Sequence, residues 1–210
     1  MSMNGTFRSV APRVVQKLIE VPSLLGLVLN YSEASPSIPP LDEEQLGRLP
    51  PSFRVGLEAS LEQMANSTGA GAGERLARHG LDPADLDERL SIDKAWMGVH
   101  RLLAGDDWEP RTPPANAVLG GLELGEDRGY GPARYLTAAD VGGIASALAT
   151  LDVDAVSARF AVDEFERAQV YPGGWDEPDT LAWLLAALDE LRVYYARASR
   201  GGRAMLLWIG

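Results

Sequence analysis

The chain has 210 residues, 46% of them hydrophobic, enough for one domain with a buried core. Its net charge of −11 argues against general nucleic-acid binding, which relies on basic side chains displacing phosphate counterions. It contains no cysteine, which excludes a disulfide framework and thiolate metal or redox chemistry. No apolar run approaches the ~20 residues of a membrane-spanning helix, and Met1–Arg8 lacks a signal-peptide layout. A cytoplasmic protein without membrane attachment is expected.

In chain order, Asn4 to Val10 reads as a short strand. Val14, Val15, Leu18 and Ile19 follow at helical spacing behind Pro12, and Pro22 ends the run. Ser23 to Leu29 is apolar at most positions, which predicts a short helix buried on most sides. Residues 31–40 are rich in Ser and Pro and read as a loop. Leu41 to Met64 shows weak helical periodicity interrupted by Pro50-Pro51. Residues 66–73 form a Gly/Ala-rich flexible linker, and this stretch lacks the Gly-Lys-Ser/Thr ending of a P-loop. Asp82-Pro83-Ala84-Asp85 then caps a short helix.

Ser91 to Gly105 predicts a central helix. Ile92, Trp96, Val99 and Leu103 share one face, with Ser91 as the cap and Gly105 as the stop. His100 falls on the apolar side; Asp93, Lys94, Met97 and Arg101 point the other way. Ala117 to Leu122 suits a buried strand. Gly129-x-Gly131 has no third glycine, so a dinucleotide-binding fingerprint is not expected, and the chain continues extended to Leu136.

Thr137 to Asp140 is a capping-box variant opening a helix with Val141, Ile144, Leu148 and Leu151 on its buried face. Residues 152–170 hold two short helices, with Val156, Phe160 and Phe165 inward. Tyr171 to Trp175 is a tight turn. Asp176, Glu177 and Asp179 begin the last helix, where its dipole favours negative charge. Leu181, Leu184, Leu188, Leu191 and Tyr195 form its core stripe, and Gly201-Gly202 stops it. Ala204 to Ile209 is apolar throughout, as for a central strand covered on both faces. There is no internal repeat. A few strands among many helices, without βαβ alternation, predict an α+β single domain over 1–210: a small mixed sheet with N- and C-terminal strands, packed by many helices.

Charge is unevenly placed. Thr137 to Glu190 carries eleven acidic side chains against Arg159 and Arg167, whereas Arg192, Arg197, Arg200 and Arg203 follow with no acid. This pattern fits either a solvated helical face or a surface that docks a basic partner.

Five stretches together resemble a known family. They are Met1-x-Met3-x-Gly5, then Asp93-Lys94-x-Trp96-x-x-Val99-His100, then Gly129-Tyr130-Gly131-Pro132-Ala133-Arg134-Tyr135-Leu136, then Tyr171-Pro172 with Trp175, and the closing Gly201 to Gly210. The chain is similar over nearly its whole length to the YfbM-like proteins, the DUF1877 family of unknown function. The resemblance implies a bacterial α+β domain without an established activity. Met97 stands where the family often has a polar residue, which weakens any metal or acid–base role at that position.

Candidate ligand-binding residues are Asp93, Lys94, Trp96, His100, Tyr130, Arg134 and Tyr171. Asp93 and His100 lie two helical turns apart, ~10 Å, so they can border one pocket without bonding directly. His100 reads either as a general base or as a core histidine bonded to a carbonyl. Asp93-Lys94 reads as a cap with a neighbouring ion pair or as part of that pocket, and Trp96 as core packing. Arg134 suits a carboxylate or phosphate, or a structural pair with a carboxylate. Tyr130 and Tyr171 flank turns, where they line a pocket mouth or pack. No catalytic signature, cofactor motif or metal-ligand spacing is present.

The leading expectation is therefore a non-enzymatic binding or adaptor protein, immunity-type proteins included, whose acidic helical surface holds a basic protein. The alternative is a domain or enzyme that takes a small anionic ligand in a pocket around Asp93, His100, Tyr130 and Arg134. Geometry separates the two: convergence of those four side chains favours the second, and a buried His100 without access disfavours it.

Overall fold

The last apolar run of the chain forms the middle of the sheet. The computed structural model describes residues 3–32, 60 and 72–210. β1 (Gly5–Val10), β2 (Leu90–Ser91), β3 (Leu122–Leu124), β4 (Ala133–Leu136) and β5 (Ala204–Ile209) pair in the order β2-β1-β5-β4-β3. In the register, Phe7 lies opposite Leu207 and Ser9 opposite Met205, which in turn faces Leu136. Phe7, Leu207, Met205 and Leu136 therefore share one face and enter the main core. Val10, Ala204 and Leu206 lie on the other face and are equally buried. Both faces of β5 are covered, as its unbroken apolar run predicts.

The class is α+β. The sheet departs from the mixed one expected, because every pairing is antiparallel. β3 and β4 are joined by a loop that reverses the chain, and β5 opposes both of its neighbours. No helical crossover joins two parallel strands.

The chain forms two compact units, Met1–Gln16 with Asp87–Gly210, and Lys17–Leu86. α1 (Pro12–Glu20) buries Val14, Val15 and Leu18. Ile19 is 54% exposed, since its position one residue past Leu18 turns it ~100° away from the buried stripe. A one-turn 3-10 helix (Pro22–Leu24) leads into α2 (Leu25–Asn30), whose Leu25, Leu27, Val28 and Leu29 are all buried. The predicted loop beyond Ser32, the helical stretch 41–64 apart from Ser60, and the linker up to residue 71 lie outside the described residues. Ala72 and Gly73, counted in that linker, already belong to α3 (Ala72–Arg78). The Asp82 cap is a full capping box: Asp82 accepts from the Ala84 N–H at 2.8 Å and Asp85 from the Asp82 N–H at 2.9 Å. It closes a single 3-10 turn, Pro83–Asp85.

The central helix is shorter than its periodicity predicts. α4 spans Trp96–Ala104 behind a 3-10 turn, Asp93–Ala95. Ser91 is drawn into β2, where it pairs with Thr6, and its hydroxyl accepts only the Asp93 N–H at 3.2 Å. Asp93 itself has φ +49°, which an α-helix does not tolerate. The expected stop holds: Gly105 takes φ +67° and donates its N–H to the Arg101 carbonyl at 2.9 Å.

The predicted strand 117–122 is not formed. Ala115–Ala117 make a 3-10 turn, and the Gly120 N–H bonds back to the Asn116 carbonyl at 3.1 Å, so Ala117 and Val118 are buried from a turn. Only Leu122 onward becomes strand.

α5 (Ala138–Ala149) opens with the predicted capping box between Thr137 and Asp140. Its Val141, Ile144 and Leu148 are buried. α6 (Val153–Ser157) and α7 (Val162–Arg167) are the two short helices of the next segment. α8 (Thr180–Arg200) buries Leu184, Leu188, Leu191 and Tyr195 and packs against α4 and α5. It starts beyond the acids expected in its first turn. Asp179, at φ +67°, turns the chain and makes no side-chain cap, so the carboxylates stay outside the helix. No helix among the described residues is long and apolar enough to cross a membrane.

Candidate functional site

Three motif stretches meet at the start of β1. The Trp96 indole N–H donates to the Met3 carbonyl at 3.2 Å, and the Met3 N–H donates to the Tyr171 hydroxyl at 3.2 Å. The Tyr171 N–H points at the Met97 sulfur, 3.0 Å away. Gly5 lies against the Trp96 side chain so closely that a Cβ there would overlap the Trp96 Cβ. Trp96 and Tyr171 are thus engaged in holding a backbone segment. Asp93 and Lys94 are exposed beside them.

His100 is 2% exposed. Its Nε2 bonds the Asp107 carbonyl at 2.9 Å, and its ring lies 5.3 Å from the Trp108 ring. A carbonyl only accepts, so Nε2 carries the proton and Nδ1 is a bare acceptor, buried without a partner. Burial lowers the imidazole pKa below its ordinary value, opposed by the Asp107 carbonyl and carboxylate. The ring is therefore held neutral.

Among the sequence candidates, Arg134 lines a cavity beside β4. This cavity of about 420 Å³ is lined by Glu109, Arg111, Asn116, Arg134, Thr137 and Asp140, with the Gly120–Glu123 segment. The cross-strand register sets Arg134 opposite Glu123, and they pair at 3.2 Å. Asp93, Lys94, His100 and Tyr130 are not part of the lining. Tyr130 is 39% exposed on the β3–β4 loop, which Asp127 shapes by accepting the N–H groups of Gly129 and Gly131. The four side chains of the expected pocket do not meet at this cavity, which only Arg134 of them lines. No cluster of three or more His, Cys, Asp or Glu side chains fit to hold a metal occurs among the described residues.

A second surface gathers around α7 and the start of α8. Phe160, Phe165 and Trp175 pack edge to face, with 5.0 Å between the Phe165 and Trp175 rings. Glu166 accepts the Trp175 N–H at 3.2 Å, tying α7 to the turn that carries Asp176, Glu177 and Asp179. Trp183 lies 6.4 Å from Trp175 and is 40% exposed. Asp163, Glu164, Asp176, Glu177 and Asp179 are exposed, and none of them joins an ion pair among the described residues.

A sequence model described as "Domain of unknown function (DUF1877)" matches residues 1–208. The chain belongs to the DUF1877 family. Among solved structures, this DUF1877 chain is similar to the crystal structure of YfbM from Escherichia coli, titled a protein of unknown function. The TM-score is 0.58, with 18% identity over 99% of each chain. No curated protein matches it.

In this DUF1877 chain, Glu109, Arg111 and Asn116 line the cavity without being among the candidates read from the sequence. Tyr194 was missed too. Its hydroxyl accepts the Ser9 N–H at 2.8 Å and donates to the Glu88 carbonyl at 2.8 Å, and burial raises its pKa.

Proposed function

We propose that this is a non-enzymatic, cytoplasmic binding protein whose acidic surface around Trp183 docks a basic protein partner, in the manner of an adaptor or immunity-type protein. The observation that carries the reading is a half-exposed indole beside Trp175, whose turn carries Asp176, Glu177 and Asp179, carboxylates that join no ion pair among the described residues. Exposed carboxylates attract Lys- and Arg-rich surfaces and speed encounter. An indole face takes a cation by cation–π contact and supplies the aromatic anchor typical of binding hot spots. Trp175 beneath it, locked through its indole N–H to the Val170 carbonyl at 2.8 Å, keeps the anchor from collapsing inward.

The small-anion alternative around Asp93, His100, Tyr130 and Arg134 is weaker. His100 is buried, and only Arg134 lines a cavity.

The test is affinity capture from native cells with the full chain, with Trp183→Ala, and with Asp163→Lys/Glu164→Lys/Glu177→Lys. A basic protein retained at low salt by the wild type, lost with the charge reversal and weakened by both Trp183→Ala and high salt supports the reading. Equal retention by all three chains overturns it, as does retention of no basic protein.

A further inference from the structure

The cavity beside β4 lies apart from that surface in the chain and carries chemistry the proposed function does not use. Its charged side chains divide into those already engaged and those left over. Asp140 is consumed by the capping box, where it accepts from the Thr137 N–H at 2.9 Å and from the Thr137 hydroxyl at 2.6 Å. Glu123 is paired with Arg134. Among the described residues, neither the Glu109 carboxylate nor the Arg111 guanidinium has a hydrogen-bond or ion-pair partner, and both are exposed at the cavity. One charge of each sign is left.

Asn116 supplies the independent sign of a ligand. It is 6% exposed and lines the same cavity. Its amide nitrogen reaches the Arg111 carbonyl only at 3.5 Å, and its Oδ1 is buried without a donor. A buried acceptor left unpaired is costly, so an oxygen in this state wants an N–H. A purely anionic ligand would meet Glu109 and leave Asn116 Oδ1 unanswered. A purely cationic one would face Arg111 and Arg134. A ligand with an ammonium at one end and a carboxylate at the other satisfies all of them, the ammonium toward Glu109 and Asn116 Oδ1, the carboxylate toward Arg111. At about 420 Å³ the cavity lies near the lower end of the ~300–1,000 Å³ usual for ligand pockets, which suits a small molecule.

We infer that the cavity formed by Glu109, Arg111, Asn116 and Arg134 binds a small zwitterion of the free α-amino acid class.

The test is isothermal titration calorimetry of the full chain against the proteinogenic amino acids, with inorganic phosphate as the anion control. For any amino acid that binds, its N-acetyl derivative and its amide each delete one charge. The expected result is saturable binding of at least one free amino acid, weakened at least about tenfold by either deletion, since charge-assisted hydrogen bonds carry that much. Glu109→Gln and Arg111→Gln alter exposed side chains, leave the fold intact by circular dichroism, and each weaken binding to the same degree. The inference is overturned if no amino acid binds, if phosphate binds as tightly as the zwitterion, or if both folded variants bind as the wild type does.

Discussion

At the scale of single residues, His100 links stability to pH. Its folded-state pKa is lowered by burial, so on acidification the unfolded chain takes up this proton before the folded one does. The contribution of the neutral ring is complete above the unfolded value of about 6.5 and is lost as pH falls below it. Between neutral pH and mildly acidic pH, wild-type stability should fall more steeply than that of His100→Gln, as read from urea midpoints at each pH. Parallel slopes would show that the ring is not held neutral. Gly5 gives a sharper steric test. A methyl there overlaps the Trp96 side chain, and the neighbours are a paired strand and a helix rather than a free side-chain end. Gly5→Ala should cost about 1–3 kcal/mol by urea unfolding, the usual range for overpacking. Tyr194→Phe should cost about 1–3 kcal/mol in the same assay, because it leaves the buried Ser9 N–H without an acceptor.

Among the elements, Arg159, in the turn after α6, reaches the end of α4 at a point that sequence spacing cannot reveal. Its guanidinium donates to the Leu102 and Leu103 carbonyls at 3.0 and 3.3 Å, the negative end of α4. Arg159→Met keeps the aliphatic stem and should cost about 0.5–2 kcal/mol, measured by thermal unfolding. The elements legible in the sequence were those whose signals are local. The Thr137–Asp140 box, the core stripe of α8 and the apolar run of β5 each state their own conformation through side-chain period or cap chemistry. The illegible ones depend on partners far along the chain. Ser91 reads as a helix cap until Thr6 of β1 claims it for a strand, and Ala117 to Leu122 reads as a strand because burial alone cannot distinguish a packed turn from a buried extended run. The site suffered most from this. Helical spacing set Asp93 and His100 two turns apart on one helix, but φ +49° at Asp93 takes that residue off the helix and β-pairing sets where the helix begins. Arg134 was found because a guanidinium among glycine, proline and tyrosine is conspicuous; Asn116 was not, because an unsatisfied oxygen is a property of the packed state.

For the whole molecule, the net charge of −11 includes the carboxylates of Asp163, Glu164, Asp176, Glu177 and Asp179, which join no ion pair among the described residues. Acidic side chains without partners repel one another and contribute no native bond. Reversing Asp163, Glu164 and Glu177 to lysine should lower unfolding free energy by no more than about 1 kcal/mol per site. The small cost arises because Asp163 and Glu164 lie in the first turn of α7, where the helix dipole favours negative charge. A larger loss would show that these carboxylates hold the fold, and the acidic surface would then no longer be spare for a partner.

The position of β5 has a consequence for how the protein is made. Residues 204–209 are made after every other strand of the sheet, yet they lie between β1, which is made before the other four, and β4. From the synthesis of β1 until that of β5, β1 therefore has no long neighbour, and the nascent chain carries an unpaired strand for that interval. A transcript cut short before Ala204 yields helices and two strand edges with nothing between them, a product exposed to aggregation and suited to rapid proteolysis.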